Sequence, residues 1–238
     1  MRKTVLTAFI LCMGMMLMLH CASVPSGAAG PQAEELTDKM LEAAGMQQWK
    51  QTAAVSFTFS NGDQIFWDKN RDLVEVISDE IKVQLRKSDF KAIALSGEEI
   101  LQGEKRKEAI DDAWAKFINH TFWLSPMFHA RSPGAVREYQ DGQLIVKFSS
   151  GGVTPGDTYL FIPKSDFKID KMQMWVDVIP IKGAVAEFLN YTVTETGVPI
   201  ALTREMSLVN INIENLKMFA KYPVSAETDR FSALLSDN

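Results

Sequence analysis

The side chains that could do chemistry in this chain are few and widely spaced. Its two cysteines are Cys12 and Cys21. Cys12 lies inside an apolar run and Cys21 at its end, so the rest of the chain offers no thiol for a nucleophile, a metal site or an internal disulfide. His120 and His129 flank Pro126, but two histidines need further ligands to hold a metal and no H-E-x-x-H pattern accompanies them. Both are read as capping or partly buried imidazoles. No G-x-S-x-G elbow is present. The adjacent pairs Glu98-Glu99 and Asp111-Asp112 splay apart on any regular element and read as surface charge. Gly151 and Gly156 have the outer spacing of a phosphate loop, yet Asp157-Thr158 stands where Lys-Ser/Thr is required, so a tight β-turn is expected. Lys105-Arg106-Lys107 is bracketed by Glu104 and Glu108, which marks the exposed start of a helix. No catalytic residue, metal or cofactor is assigned, and the chain is not expected to be an enzyme; a hydrolase is the weakest of three readings.

The elements that would position any site belong to an ordinary globular protein. The chain has 238 residues, 46% hydrophobic and 23% charged, enough for one large domain with a substantial core. The net charge is -5, and about -7 once a leader carrying Arg2 and Lys3 is set aside, so nucleic acid is a poor partner.

Residues 1–21 read as a signal peptide: Arg2 and Lys3, then an apolar run from about Val5 to Leu19. The run is short of the ~20 residues that span a bilayer. Cys21 follows it directly and precedes a small-residue stretch, 22–33, that reads as a flexible tether. This resembles a bacterial lipoprotein signal, which implies lipidation at Cys21 and a membrane anchor. Met18-Leu19-His20 departs from the usual small residues before that Cys. The alternative is soluble secretion with cleavage after Ala28 or Ala29. The expected location is the periplasmic side of the outer membrane, or otherwise the soluble periplasm or outside.

Beyond the tether, Glu34 to Ala44 has helical spacing, with Gly45 to end it. From Ala53 the period becomes two, and Asn61-Gly62-Asp63 signals a hairpin. Ile81, Val83 and Leu85 alternate with Lys82, Gln84 and Arg86, as in an antiparallel sheet with one wet face. Ala109, Ile110, Ala113, Trp114, Phe117 and Ile118 then repeat at helical spacing before Pro126. Strand patterns resume at Leu144 to Phe148, Thr158 to Ile162, Ile169 to Val176, Val185 to Val193 and Ile200 to about Ile213, giving about ten strands in all. The segment 220–238 has no sustained period and reads as a disordered or docked tail. The fold class expected is mainly β (α+β): one curved antiparallel sheet wrapped on its apolar side by an N-terminal helix and a central helix.

Several stretches carry a resemblance. Ala43-Ala44-Gly45-Met46-Gln47-Gln48-Trp49, Phe122-Trp123-Leu124-Ser125-Pro126, Ser132-Pro133-Gly134-Ala135-Val136, the run Thr154 to Pro163 and Met172-Gln173-Met174-Trp175 together resemble an uncharacterised group of bacterial exported proteins related to the outer-membrane lipoprotein-sorting proteins (LolA/LolB-like). The resemblance covers about residues 34 to 215, within a domain placed at 34–219. It implies an unclosed half-barrel with helices as a lid over an apolar hollow that holds acyl chains.

Strand parity then names the lining. Phe57 and Phe59 share a side with Val55; Val83 and Leu85 face away from their charged neighbours; Val146 and Phe148 face away from Lys147. Phe161 and Met174 are their companions, and Trp114 and Phe117 lie on the stripe of the central helix that would form the lid. These ten residues are expected around an apolar cavity of ~300 Å³ or more. The function expected is non-covalent binding of an acyl chain, lipid or lipidated protein by a monomer. The alternative is an envelope interaction or sensor module with a filled core and a protein-binding outer face.

Overall fold

The computed structural model describes residues 23–149, 156–177, 181–223 and 229–236. Cys12, Cys21, the leader and Gly151 lie outside the described residues. Two helices come first among the described residues, α1 (Pro31–Ala43) and α2 (Met46–Gln51). Pro31 starts α1, where its missing N–H costs nothing. Gly45 joins the two in a left-handed conformation at φ +75° that a β-carbon would strain. α2 was not expected: its six residues, MQQWKQ, bury none of their side chains fully and carry no helical stripe.

Among the described residues thirteen strands follow in one antiparallel sheet: β1 (Ala54–Phe59), β2 (Gln64–Asp68), β3 (Leu73–Ser78), β4 (Ile81–Arg86), β5 (Ala92–Ser96), β6 (Glu99–Ile100), β7 (Ala135–Gln140), β8 (Gln143–Phe148), β9 (Thr158–Pro163), β10 (Ile169–Trp175), β11 (Ala184–Val193), β12 (Pro199–Glu205) and β13 (Asn210–Phe219). Between β6 and β7 run α3 (Gly103–Leu124) and a 3-10 turn at Pro126–His129, and a short α4 (Ser232–Ser236) closes the described chain. The spatial order is β6-β5-β4-β3-β2-β1-β13-β12-β11-β10-β9-β8-β7. The two ends do not meet, so this is the unclosed half-barrel that the sequence predicts. β1 and β13 pair at its centre and join two meanders, β1 to β6 and β7 to β13.

Three strands exceed the ten expected, for different reasons. β6 has two residues, too few for a period. β7 is an edge strand with none of its residues fully buried, so neither face carries an apolar row. The single run expected from Ile200 divides into β12 and β13, because the apolar pair Leu208 and Val209 sits exposed in their connection.

One face of the sheet carries the main core. Val55, Phe57, Val83, Leu85, Val146 and Phe161 meet Leu36 and Met40 of α1 and Phe117 of α3. α3 lies on β3, β4 and β5, while α1 lies on β7 and β8. The opposite face was expected to be wet, and in part it is not. Phe231 and Leu234 dock there against Ala54, Phe66 and Leu73. Glu75 and Gln84 are buried beside them, Gln84 donating to the Glu75 carboxylate at 2.6 Å and to the Arg230 carbonyl at 2.9 Å. Gln84, read as solvent-facing, therefore lies under the C-terminal segment.

Part of the stretch read as a flexible tether is fixed to the β7 edge. Ala28 and Tyr139 exchange two backbone hydrogen bonds of 2.9 Å each, and the Gly27 N–H donates to Glu138 at 2.9 Å. A β-carbon at Gly27 would sit 2.3 Å from the Tyr139 carbonyl oxygen, so only glycine permits that approach.

Candidate functional site

All ten residues assigned to the concave side fall in one cluster. Phe57, Phe59, Val83, Leu85, Phe117, Val146, Phe161 and Met174 are buried there, and Trp114 and Phe148 pack against it partly exposed. The alternation that placed them is enforced by the sheet, since each strand has its opposite-parity residues on the outer side. The helix contributes through rings: Trp67 meets Phe117 edge-on with centroids 5.2 Å apart, and Trp114 stacks on Phe117 at 5.6 Å. Trp49 of α2 stacks on Phe128 at 4.6 Å and meets Trp67 at 5.7 Å, so one aromatic chain links α2, the 3-10 turn, β2 and α3.

A hollow of about 20 Å³ lies where the end of α1 approaches the 3-10 turn. That is room for one water molecule. None of the ten lines it. Met40, Leu124, Met127, Ile169, Phe188 and Ile200 do, together with Tyr191, Lys168 and Arg204. α3 lies on β3, β4 and β5, so on that half of the sheet Phe117 packs in one cluster with Phe57, Phe59, Val83 and Leu85.

Arg204 belongs to no motif in the sequence. It is 1% exposed, and its Nη2 donates to the Leu124 carbonyl at 2.8 Å, at the C-terminal end of α3. Its Nε and Nη1 have no acceptor among the described residues. The guanidinium lies over the Phe188 ring, 5.3 Å from its centroid. Burial pushes its pKa down to about 9, so the group is still a cation at pH 7. Among the described residues no carboxylate forms an ion pair with it. The available signal was parity: Arg204 shares a side of β12 with Ile200 and Leu202, a charge in an apolar row.

His120 is held in a second buried polar group. Its Nε2 donates to the Asp63 carboxylate at 2.8 Å, its ring stacks on Phe59 at 3.8 Å, and the Asn119 amide donates to Nδ1 at 3.2 Å. The neutral tautomer protonated at Nε2 satisfies all of these. Burial pushes His120 below its ordinary value, with the Asp63 charge pulling the other way. Burial likewise lowers His129. For Asp63, burial alone would raise the carboxyl, but hydrogen bonds from Ser78, His120 and Asn61 and the Lys116 charge hold it low. Among the described residues no three metal-ligating side chains come together.

A pH dependence follows. Both histidines have lowered folded values, so the unfolded chain takes up protons first; their contribution is complete above 6.5 and declines as the pH falls below it. Asp63 adds stability above 3.8 that is lost as the pH falls through its depressed value. The melting temperature should fall as the pH drops below 6.5 and fall again in acid. His120→Gln should flatten the first decline. A wild-type melting temperature unchanged down to pH 5 would contradict this account.

The fold and site define a single-sheet half-barrel with a helical cover on its apolar side. The chain matches no family model, and no curated protein matches it. Among solved structures it is similar to the crystal structure of a DUF1329 family protein from Desulfovibrio piger, at 11% identity and a TM-score of 0.42, covering 86% of this chain and 100% of that one.

Proposed function

We propose that this is an exported, lipid-anchored cell-envelope protein that holds an acyl chain, lipid or lipidated polypeptide non-covalently under its helices, without a cofactor. The observation that supports this reading is the one-sided cover. A sandwich fills the inner face of each sheet with another sheet, whereas here that face is closed by helices that lie on separate halves of the sheet. Lifting α3 from β3 to β5 would uncover a continuous apolar surface. A chain of about twelve carbons brings on the order of 10 kcal/mol of burial, against about 1.5–3 kcal/mol for each buried side chain of the helix that it displaces. The anchor is read at Cys21. Cleavage there keeps Gly27 and Ala28 on the β7 edge, while cleavage after Ala28 or Ala29 would remove those bonds.

The second reading, an interaction module with a permanently filled core, is favoured by one observation: most of the concave side chains are buried in one cluster with those of the helices. Native mass spectrometry of the protein taken from cells separates the two. The expected spectrum shows an acylated N-terminus at Cys21 and a co-purifying lipid-sized adduct lost on activation. Adduct-free protein in repeated preparations would favour the filled module, and an unmodified N-terminus near Ala29 would remove the anchor.

A further inference from the structure

We infer that the hollow at Arg204 is an anion site that takes the carboxylate head group of a single-chain acyl ligand; the acyl part rests on the function proposed above. The site is built. Arg204 is 1% exposed and lines the hollow, and the three N–H bonds on its Nε and Nη1 have no acceptor among the described residues. A buried cation with no counter-charge is among the more costly arrangements a core can hold. It persists where something supplies the missing acceptors, and an anion supplies both acceptors and charge. Nothing among the described residues does so: the Tyr191 hydroxyl, which also lines the hollow, donates to the Ile169 carbonyl, and Lys168 pairs with Asp166 at 2.7 Å.

Size and surroundings select the kind of anion. About 20 Å³ admits one carboxylate oxygen beside the open N–H groups of Arg204. The walls at Met40, Leu124, Met127, Phe188 and Ile200 belong to the same apolar cluster as the concave face, so a chain attached to that carboxylate would leave the hollow along apolar surface. The hydrogen bond that Arg204 already makes, to Leu124 at the end of α3, puts the head group beside the helix that the chain would displace.

Calorimetric titration of the delipidated full mature chain with dodecanoate, dodecanol and acetate tests this. Wild type should bind dodecanoate at least tenfold more tightly than dodecanol, with acetate competing weakly for dodecanoate. Arg204→Met should remove that preference and keep dodecanol binding, and Arg204→Lys should retain part of it. A wild-type measurement guards against a misfolded variant: the Arg204 Nε resonance should shift with dodecanoate and stay in place with dodecanol. Equal binding of the two twelve-carbon probes would overturn the anion site and leave acyl binding intact. Acetate binding at Arg204 with neither long probe bound would support the anion site and overturn acyl binding. No binding of any probe would overturn both.

Discussion

Phe57→Ala is expected to destabilise the protein by about 3–5 kcal/mol, the range for truncating a buried aromatic that cannot be replaced by collapse. Phe57 is 2% exposed, and its strand β1 is held on both sides, by β2 and by β13. Neighbouring backbones so fixed cannot close around a deleted ring. Phe148 makes the useful comparison. It lies at the end of β8, partly exposed, with its ring 5.8 Å from that of Tyr159, and its truncation should cost only about 1–2 kcal/mol. Urea denaturation of both variants reads this directly, as a shift in midpoint at constant slope. Equal small losses for the two would mean that the concave face is loosely packed, and would strengthen the case for a ligand space.

On the outer face, Phe231→Ala should also cost about 3–5 kcal/mol, a large effect for a residue so near the end of the sequence. Phe231 is fully buried against Phe66, and Leu234 beside it is 1% exposed. The approach is fixed by charge on both sides of the ring. Asp229 pairs with Arg71, accepts from the Tyr222 hydroxyl at 2.8 Å and from the Phe231 N–H at 3.0 Å, and its carboxyl is held far below the usual range, chiefly by the Arg71 hydrogen bond. Arg230 reaches the buried Glu75 at 2.5 Å. Arg71 in turn holds Asp68 at 2.6 Å, so residues 229–231 are tied to the loop after β2. Equilibrium unfolding of Phe231→Ala, with limited proteolysis of the native protein, checks the docking. A variant as stable as wild type and cleaved no faster near its C-terminus would show that the segment does not hold the sheet.

The fold was legible where one face alone is buried. Val83 and Leu85 against Lys82 and Arg86, or Val146 against Lys147, give a period that only a strand satisfies, and these apolar side chains share one buried cluster. It failed where burial is two-sided or absent. Phe66 and Leu73 face outward, yet they are buried because a distant segment reaches them, and no local period encodes that. β7 has no buried face at all. The volume enclosed was not legible either, since it depends on how closely α3 approaches the strands, and spacing along the helix carries no such distance. Arg204 was readable in principle as a charge in an apolar row. Its lack of an acceptor was not, because that depends on residues from β9 to β11 and from the 3-10 turn.

The pairing of β1 with β13 also sets the order in which the molecule must assemble. Each meander consists of neighbouring hairpins that zip locally, but the join between them brings together residues as far apart as Thr58 and Asn215, separated by 157 positions. Such a contact closes a long loop and is slow to form. Until Asn210–Phe219 arrives, β1 presents an unpaired edge in the middle of what will be the sheet, flanked by Phe57 and Phe59. Unpaired edges invite pairing with other chains. The interval between making β1 and making β13 is therefore when this protein is most exposed to misassembly, and an escort that covered the β1 edge during that interval would protect the whole fold.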